Sequence, residues 1–391
     1  MPLLQDPTAV TVYLIVLIGV LHWISGFRFL APFFKYLPPV IWVYFLPLLS
    51  SNFGIIPQAN PAYDWIRLYL LPAALVLMLL AANVPALVKL GGKAVLTMLM
   101  GTSGIVIGAI VSFSFLHWWL PAEAWRGFGA LTGSWIGGSA NMVAVATSVR
   151  TPDSMLGPLI VVDTVVGYGW MGIVIAMTVL QDRMDKRNKV DRTVVDQLNT
   201  RMKEVDAANR RPIKLTDLTM MLGIAFGMGY IMLQLGRVLP DIGAVLNSYG
   251  WAVILATACG VALSFTKLSD LEFAGASSVG SFLFYLLLAS IGARADLKGI
   301  LDAPLFLLAG VFIIAVHATM LFLAGRLFKA PMFLMATASQ ANIGGPVTAP
   351  IVATVYQSSL AAVGLLMAVL GNIMGTFLGL AVAQICFWIA G

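Results

Sequence analysis

Apolar runs of membrane-spanning length recur along the whole chain, and they constrain its fold more than any other feature. A helix needs about 20 apolar residues to cross a bilayer, where every backbone polar group must be satisfied internally. Only 10% of the residues are charged, against about 25% in a soluble domain. The sequence therefore predicts an all-α polytopic protein, multi-pass in the inner (plasma) membrane. The runs lie near 9–26, 38–56, 65–84, 94–117, 124–149, 155–180, 215–236, 247–265, 274–292, 304–326, 331–356 and 360–389.

A glycine pair occurs twice, each time between two apolar stretches. The string 136–149 (IGGSANMVAVATSV) aligns with 343–356 (IGGPVTAPIVATVY) at an offset of 207 residues. The same offset brings the other apolar runs of the first half close to those of the second. Paired interruptions at matching places are typical of transporters built from internal repeats. We therefore expect two homologous membrane repeats.

The expected repeats are residues 1–180 and 215–391, separated by a charged linker at 181–214. The linker holds ten Lys or Arg and six Asp or Glu residues, which favours a cytoplasmic position. Apolar residues recur in it at helical spacing and indicate a short amphipathic helix; they are Val194, Val195, Leu198, Met202 and Val205.

The number of crossings in each half decides how the repeats are related. If 124–149 and 331–356 are re-entrant hairpins with the glycine pairs at their tips, about ten helices cross and the repeats have inverted topology. If the glycine pairs instead interrupt crossing helices, there are up to twelve spans. The hairpin arrangement, with its N-terminus outside, places more of the basic loops inside and is favoured by the positive-inside rule. Broken crossing helices remain the alternative.

Small polar residues surround both glycine pairs. An interrupted helix frees backbone N–H and C=O groups that can bind a solute or an ion. Close helix packing is the competing explanation for small residues, although it does not require amides. His317 lies in the middle of an apolar run, where it could relay protons or contact a substrate. The predicted substrate-binding residues are Ser134, Gly137, Gly138, Ser139, Asn141, Ser339, Gln340, Asn342, Gly344, Gly345, Thr348 and His317.

Asp163 is a lone carboxylate with apolar residues on both sides. A charge at membrane depth costs a few kcal/mol or more, so its presence indicates function, with an interhelical hydrogen bond or ion pair as the alternative. Hard oxygen ligands suit Na⁺, and a carboxylate could carry a proton instead. The predicted Na⁺ ligands are Asp163, Asn141, Asn342 and Asn372.

The strings GSWIGGSANMVAVATS and ASQANIGGPVTAP, with the His317 segment between them, resemble the YjcL-like integral membrane protein family. The likeness runs over nearly the whole chain. More distantly, the plan is similar to the sodium-coupled 2-hydroxycarboxylate and glutamate symporters, which implies inverted halves with re-entrant loops. Those families carry a further glycine two residues after each pair, where this chain has Ala140 and Val347. The bile-acid-symporter and sodium/proton-antiporter group also has two inverted repeats. A resemblance to that group implies that the interrupted helices cross the membrane.

These features predict a secondary active transporter and not an enzyme. We expect symport of a small polar or anionic organic solute coupled to Na⁺, or less readily to H⁺, by alternating access with an elevator-like motion. We expect no cofactor beyond the coupling ion and no nucleic-acid partner. The expected partners are membrane lipid and a second copy of the chain in a homodimer. An ion or solute channel is the second hypothesis. A membrane enzyme is the third, although the sequence holds no recognisable catalytic motif.

Overall fold

The computed structural model describes residues 2–36, 39–80, 91–190, 211–242, 247–295, 303–356 and 361–391. Within these ranges the regular elements are helical, which confirms the predicted all-α polytopic fold. The predicted amphipathic helix at 194–205 lies outside the described residues.

The first half contains nine α-helices in its described part. The side chain of Asp6 caps α1 by accepting a hydrogen bond from Ala9 N. The helices are α1 (Pro7–Ser25), α2 (Ala31–Tyr36), α3 (Pro39–Asn52), α4 (Pro61–Leu80), α5 (Gly92–Leu116), α6 (Ala124–Gly137), α7 (Ser139–Ser148), α8 (Asp153–Ala176) and α9 (Gln181–Asn188).

Apart from the short helices α2 and α9, the described helices of the second half follow a similar order of long and short helices. Its described helices are α10 (Leu215–Val238), α11 (Ser248–Ser264), α12 (Ala276–Arg294), α13 (Ala303–Leu327), α14 (Met332–Ile343), α15 (Gly345–Tyr356) and α16 (Ala361–Ala390). The paired short helices α6–α7 and α14–α15 occupy matching places. Homology of the two halves stays a prediction, as do the predicted domain boundaries.

Eight helices in the described part of the chain are long and apolar enough to cross a membrane. A ninth span results if α11 is counted with the 3₁₀ turn Lys267–Ala274, which bends away from it by 93°. The expected tenth crossing corresponds to α3, which has 14 residues. At about 1.5 Å per residue α3 is roughly 21 Å long, shorter than the bilayer core of about 30 Å.

Both glycine pairs reverse the direction of the chain. Gly138 has a φ of 83° and Gly345 a φ of 63°, in the left-handed region that glycine adopts without strain. A Cβ added at Gly133 would lie 3.0 Å from Cγ2 of Val145, so α7 folds back along α6. At the second pair, the Thr348 hydroxyl donates to Gln340 Oε1 across 3.1 Å. In a straight helix, residues eight positions apart would be separated by about 12 Å along the axis, so the chain turns back between α14 and α15.

The helices form two packed groups. One contains α1, α3, α4, α10, α11 and α12; the other contains α5 to α8 and α13 to α16. Glycines allow the second group to pack closely. A Cβ at Gly104 of α5 would lie 2.7 Å from Cα of His317, and one at Gly108 would lie 2.9 Å from Cα of Ile313, both in α13. Such close approach of backbones is typical of membrane helix pairs.

An ion-pair cluster joins the two groups at one end of the molecule. Arg294 Nε lies 2.8 Å from Asp153 Oδ2, and its Nη1 lies 2.6 Å from Asp64 Oδ1. Arg67 approaches Asp153 at 3.5 Å. We call these four residues the Arg294 cluster. It places the starts of α4 and α8 and the end of α12 at the same end of the fold.

Candidate functional site

A cavity of about 210 Å³ lies where the two glycine turns meet. A Cβ added at Gly345 would come within 3.8 Å of Gly138 Cα, so the two turns nearly touch. The cavity has room for several water molecules. Many of the predicted site residues line it: Ser134, Gly137, Gly138, Ser139, Asp163, Gln340, Gly344, Thr348 and Asn372.

Asp163 carries the negative charge of the cavity wall. The Ser134 hydroxyl donates to its Oδ1 across 2.9 Å, which connects α6 to α8. Among the described residues, no Lys, Arg or His side chain forms an ion pair with it. A carboxylate away from bulk water needs a bound cation or a proton to offset its loss of hydration. The site therefore suits a cation.

Hydrogen-bond donors lie at the same cavity. Gln340 is fully buried, and its Nε2 has no hydrogen-bond partner among the described residues. The first turn of α7 begins at Ser139 without a side-chain cap, and Ser139 and Ala140 line the cavity. Free N–H groups at the start of a helix favour electron-rich ligand atoms. The cavity thus combines one anionic side chain with uncharged donors.

Two predicted Na⁺ ligands lie behind the cavity wall. Asn141 donates to Gly137 O and accepts a hydrogen bond from Thr376 Oγ1 across 2.6 Å. Asn342 Oδ1 accepts from Thr102 Oγ1 across 3.1 Å. Neither asparagine lines the cavity. In this conformation their oxygens connect helices instead of facing Asp163, and their role as Na⁺ ligands stays a prediction.

His317 and Ser339 also lie outside the cavity, in a buried network. His317 Nδ1 lies 2.8 Å from Gly101 O and its Nε2 lies 2.9 Å from Ser339 Oγ. Because a carbonyl can only accept, Nδ1 must carry a proton, and in neutral His317 the Nε2 atom then accepts from Ser339. Ser339 Oγ accepts in turn from Trp170 Nε1 across 2.7 Å. The network is satisfied with His317 neutral and joins α13 to α5 and α14.

The cavity wall includes residues that sequence reasoning missed. Tyr168 and Thr164 come from α8, while Ser281, Phe284 and Tyr285 come from α12. Thr164 could have been found as the polar neighbour of Asp163. The α12 residues gave a weaker signal, because hydroxyl groups are common in apolar helices and nothing in the sequence places α12 against the glycine turns.

The fold and this cavity define a multi-pass helical membrane protein with an internal polar site. The chain belongs to the family described as "Protein of unknown function (DUF819)", whose family model matches residues 12–388. It is 28% identical over 350 residues to the "Uncharacterized membrane protein YjcL" of Bacillus subtilis (strain 168), covering 85% of this chain and 86% of that protein. The expected resemblance to the YjcL-like family is thereby confirmed.

Proposed function

We propose that this protein is a secondary active transporter that moves a small polar or anionic organic solute together with a cation. One observation carries the proposal: both glycine turns line the same internal cavity as the Asp163 carboxylate, which forms no ion pair with any described residue. A binding site where two interrupted helices meet is the arrangement found in transporters that work by alternating access.

The contacts at the ends of the helices support inverted repeats with re-entrant hairpins. Asp153, which follows the first hairpin, pairs with Arg67 near the start of α4. The hairpin arrangement puts both residues outside the membrane on the same face. If α6 and α7 together formed one broken helix that crosses the membrane, the two residues would lie on opposite faces. Asn247 likewise donates to Ser148 O across 2.6 Å, joining α11 to the end of α7.

Asp163 supplies the coupling in this proposal. Moving a bare carboxylate through the membrane interior is costly. The helix group that carries Asp163 therefore moves across the membrane readily only when a cation neutralises that carboxylate. Na⁺ is favoured over H⁺ because hydroxyl and amide oxygens of Ser134, Thr348 and Asn372 line the same cavity. The Gln340 amide and the start of α7 are then left for the solute.

The two packed helix groups provide the bodies of an elevator-like motion. The group with α5 to α8 and α13 to α16 carries both hairpins, and the group with α4 and α12 forms the opposite wall of the cavity. The Arg294 cluster and the bond from Asn247 to Ser148 connect the groups at one end. We propose that these contacts hold the present conformation closed at its outer end and separate when the outer end opens.

Counterflow tests the transport reaction. Small hydroxy acids and amino acids are first screened for stabilisation of the purified protein in Na⁺ buffer. The best compound is then loaded into proteoliposomes, and uptake of its labelled form against the gradient is measured. A transporter accumulates label transiently in Na⁺, whereas a channel only equilibrates it. Conversion of the compound into a product would instead support an enzyme.

A further inference from the structure

A groove between α1 and α12 adjoins the cavity. Its walls come from one face of each helix: Ile18, Gly19 and His22 of α1, and Ser277, Ser278, Ser281, Phe282 and Tyr285 of α12. His22 lies near the end of α1 and Ser277 near the start of α12. The Arg294 cluster lies at the opposite end of α12. The groove therefore opens at the end of the molecule opposite to the Arg294 cluster.

Two of the serine hydroxyls in this groove, those of Ser278 and Ser281, are not satisfied by the described part of the protein, whereas Ser277 donates to Glu272 Oε1 across 2.7 Å. Within the described part of the chain, neither Ser278 nor Ser281 makes a side-chain hydrogen bond, and Ser278 is exposed. Such groups facing lipid hydrocarbon are costly.

The hydroxyls of Ser103 in α5 and Thr319 in α13 behave differently, because each bonds a carbonyl of its own helix. Ser103 donates to Leu99 O across 2.6 Å, and Thr319 donates to Ala315 O across 2.8 Å. This local bond is the usual way to satisfy a hydroxyl in a membrane. Ser278 and Ser281 lack it, which indicates that water reaches them.

Two residues belong to the groove and to the cavity at once. Ser281 and Tyr285 line both spaces. The Tyr285 ring lies against His22, with 5.2 Å between ring centroids and 33° between ring planes. Tyr285 therefore stands between the opening of the groove and the glycine turns, and its rotation would change the width of the connection.

We propose that the groove is a water-filled path by which a hydrated small solute and its coupling ion pass between the cavity and the cytoplasmic face, with Tyr285 as the gate. The passage of solute rests on the proposed function, whereas the presence of water in the groove does not. The direction follows from the predicted topology, in which the linker end of the molecule is inside.

Thiol labelling tests the path without knowledge of the substrate. Cys259 and Cys386 are first replaced by alanine, and Ser278→Cys, Ser281→Cys and Ser103→Cys are introduced separately. A charged, membrane-impermeant thiol reagent is applied to right-side-out and inside-out vesicles. We expect the two groove cysteines to react at least tenfold faster than the one at position 103, and only in inside-out vesicles. Equal rates at all three positions, or reaction only from outside, would overturn the proposal.

A second variant tests the gate. Thr164→Cys places a thiol in the cavity, beyond Tyr285. We expect Tyr285→Trp to slow its labelling several-fold while leaving Ser278→Cys unaffected. Equal rates with and without Tyr285→Trp would overturn the assignment of the gate. If labelling follows this pattern but no solute shows counterflow, the path stands and the transport proposal alone fails.

Discussion

Ser134 donates its hydroxyl to the Asp163 carboxylate across 2.9 Å, where α6 meets α8 at the cavity wall. A hydrogen bond to a charged group contributes about 1.5–3 kcal/mol. We therefore expect Ser134→Ala to lower the melting temperature in Na⁺-free buffer, and to lower it less in an Asp163→Asn background. Thr132→Ala is the matched control, because that hydroxyl bonds Phe128 O of its own helix. Equal effects of Ser134→Ala in both backgrounds would contradict the assignment.

The glycine turns require left-handed backbone geometry. A residue with a Cβ costs roughly 1–3 kcal/mol when held at such positive φ angles, so we expect Gly138→Ala and Gly345→Ala each to destabilise the protein by about that amount. Gly172→Ala is the control, since a Cβ there meets no atom within 4 Å and the site is helical. Melting temperatures measure all three. A Gly138→Ala protein as stable as Gly172→Ala would mean that the turn relaxes without strain.

His317 is expected to stabilise the fold and not to couple ions. His317→Ala removes the acceptor of the Ser339 hydroxyl hydrogen, and leaving one buried donor unsatisfied costs about 1–3 kcal/mol. We expect a lower melting temperature but an undiminished rise on adding Na⁺. Thr319→Ala, on the exposed face of the same helix, should change neither. Loss of the Na⁺ response at unchanged stability would instead indicate that His317 belongs to the coupling site.

Within the Arg294 cluster, we expect the interaction energy between Asp153 and Arg294 to exceed that between Asp153 and Arg67. Arg294 lies 2.8 Å from Asp153, whereas Arg67 lies at 3.5 Å. Contacting charges give interaction energies of about 0.5–3 kcal/mol in double-mutant cycles. We expect the cycle of Asp153→Asn with Arg294→Gln to show the larger coupling in melting temperature, and the cycle with Arg67→Gln to serve as the comparison. Additive effects in both cycles would show that the cluster does not hold the two helix groups together.

Local patterns in the sequence were enough to predict the helical membrane fold and part of the cavity. Apolar runs give helices because the bilayer satisfies no backbone groups, and the glycine pairs mark the turns because few other residues adopt their φ angles. Asp163 was recognisable from its apolar neighbours alone. These properties depend on residues close together in the chain.

The sequence alone could not predict which residues the polar side chains contact. Asn141 meets Thr376, and His317 meets Gly101, at separations of more than 200 residues. Whether such a side chain faces a cavity or another helix depends on that distant partner. The same holds for Tyr285, whose place in the wall follows from the position of α12 across the cavity from the glycine turns.

The central claim is that a cation binds at Asp163, and Na⁺-dependent stability tests it most directly. Melting temperature is measured at fixed ionic strength as Na⁺ replaces choline, for the wild type and Asp163→Asn. A ligand that binds only the folded state stabilises it by about 2.7 kcal/mol at 100 times its Kd. We predict a saturable rise that is specific for Na⁺ and absent from Asp163→Asn. No Na⁺-specific rise in the wild type, or an equal rise in the variant, would contradict the account.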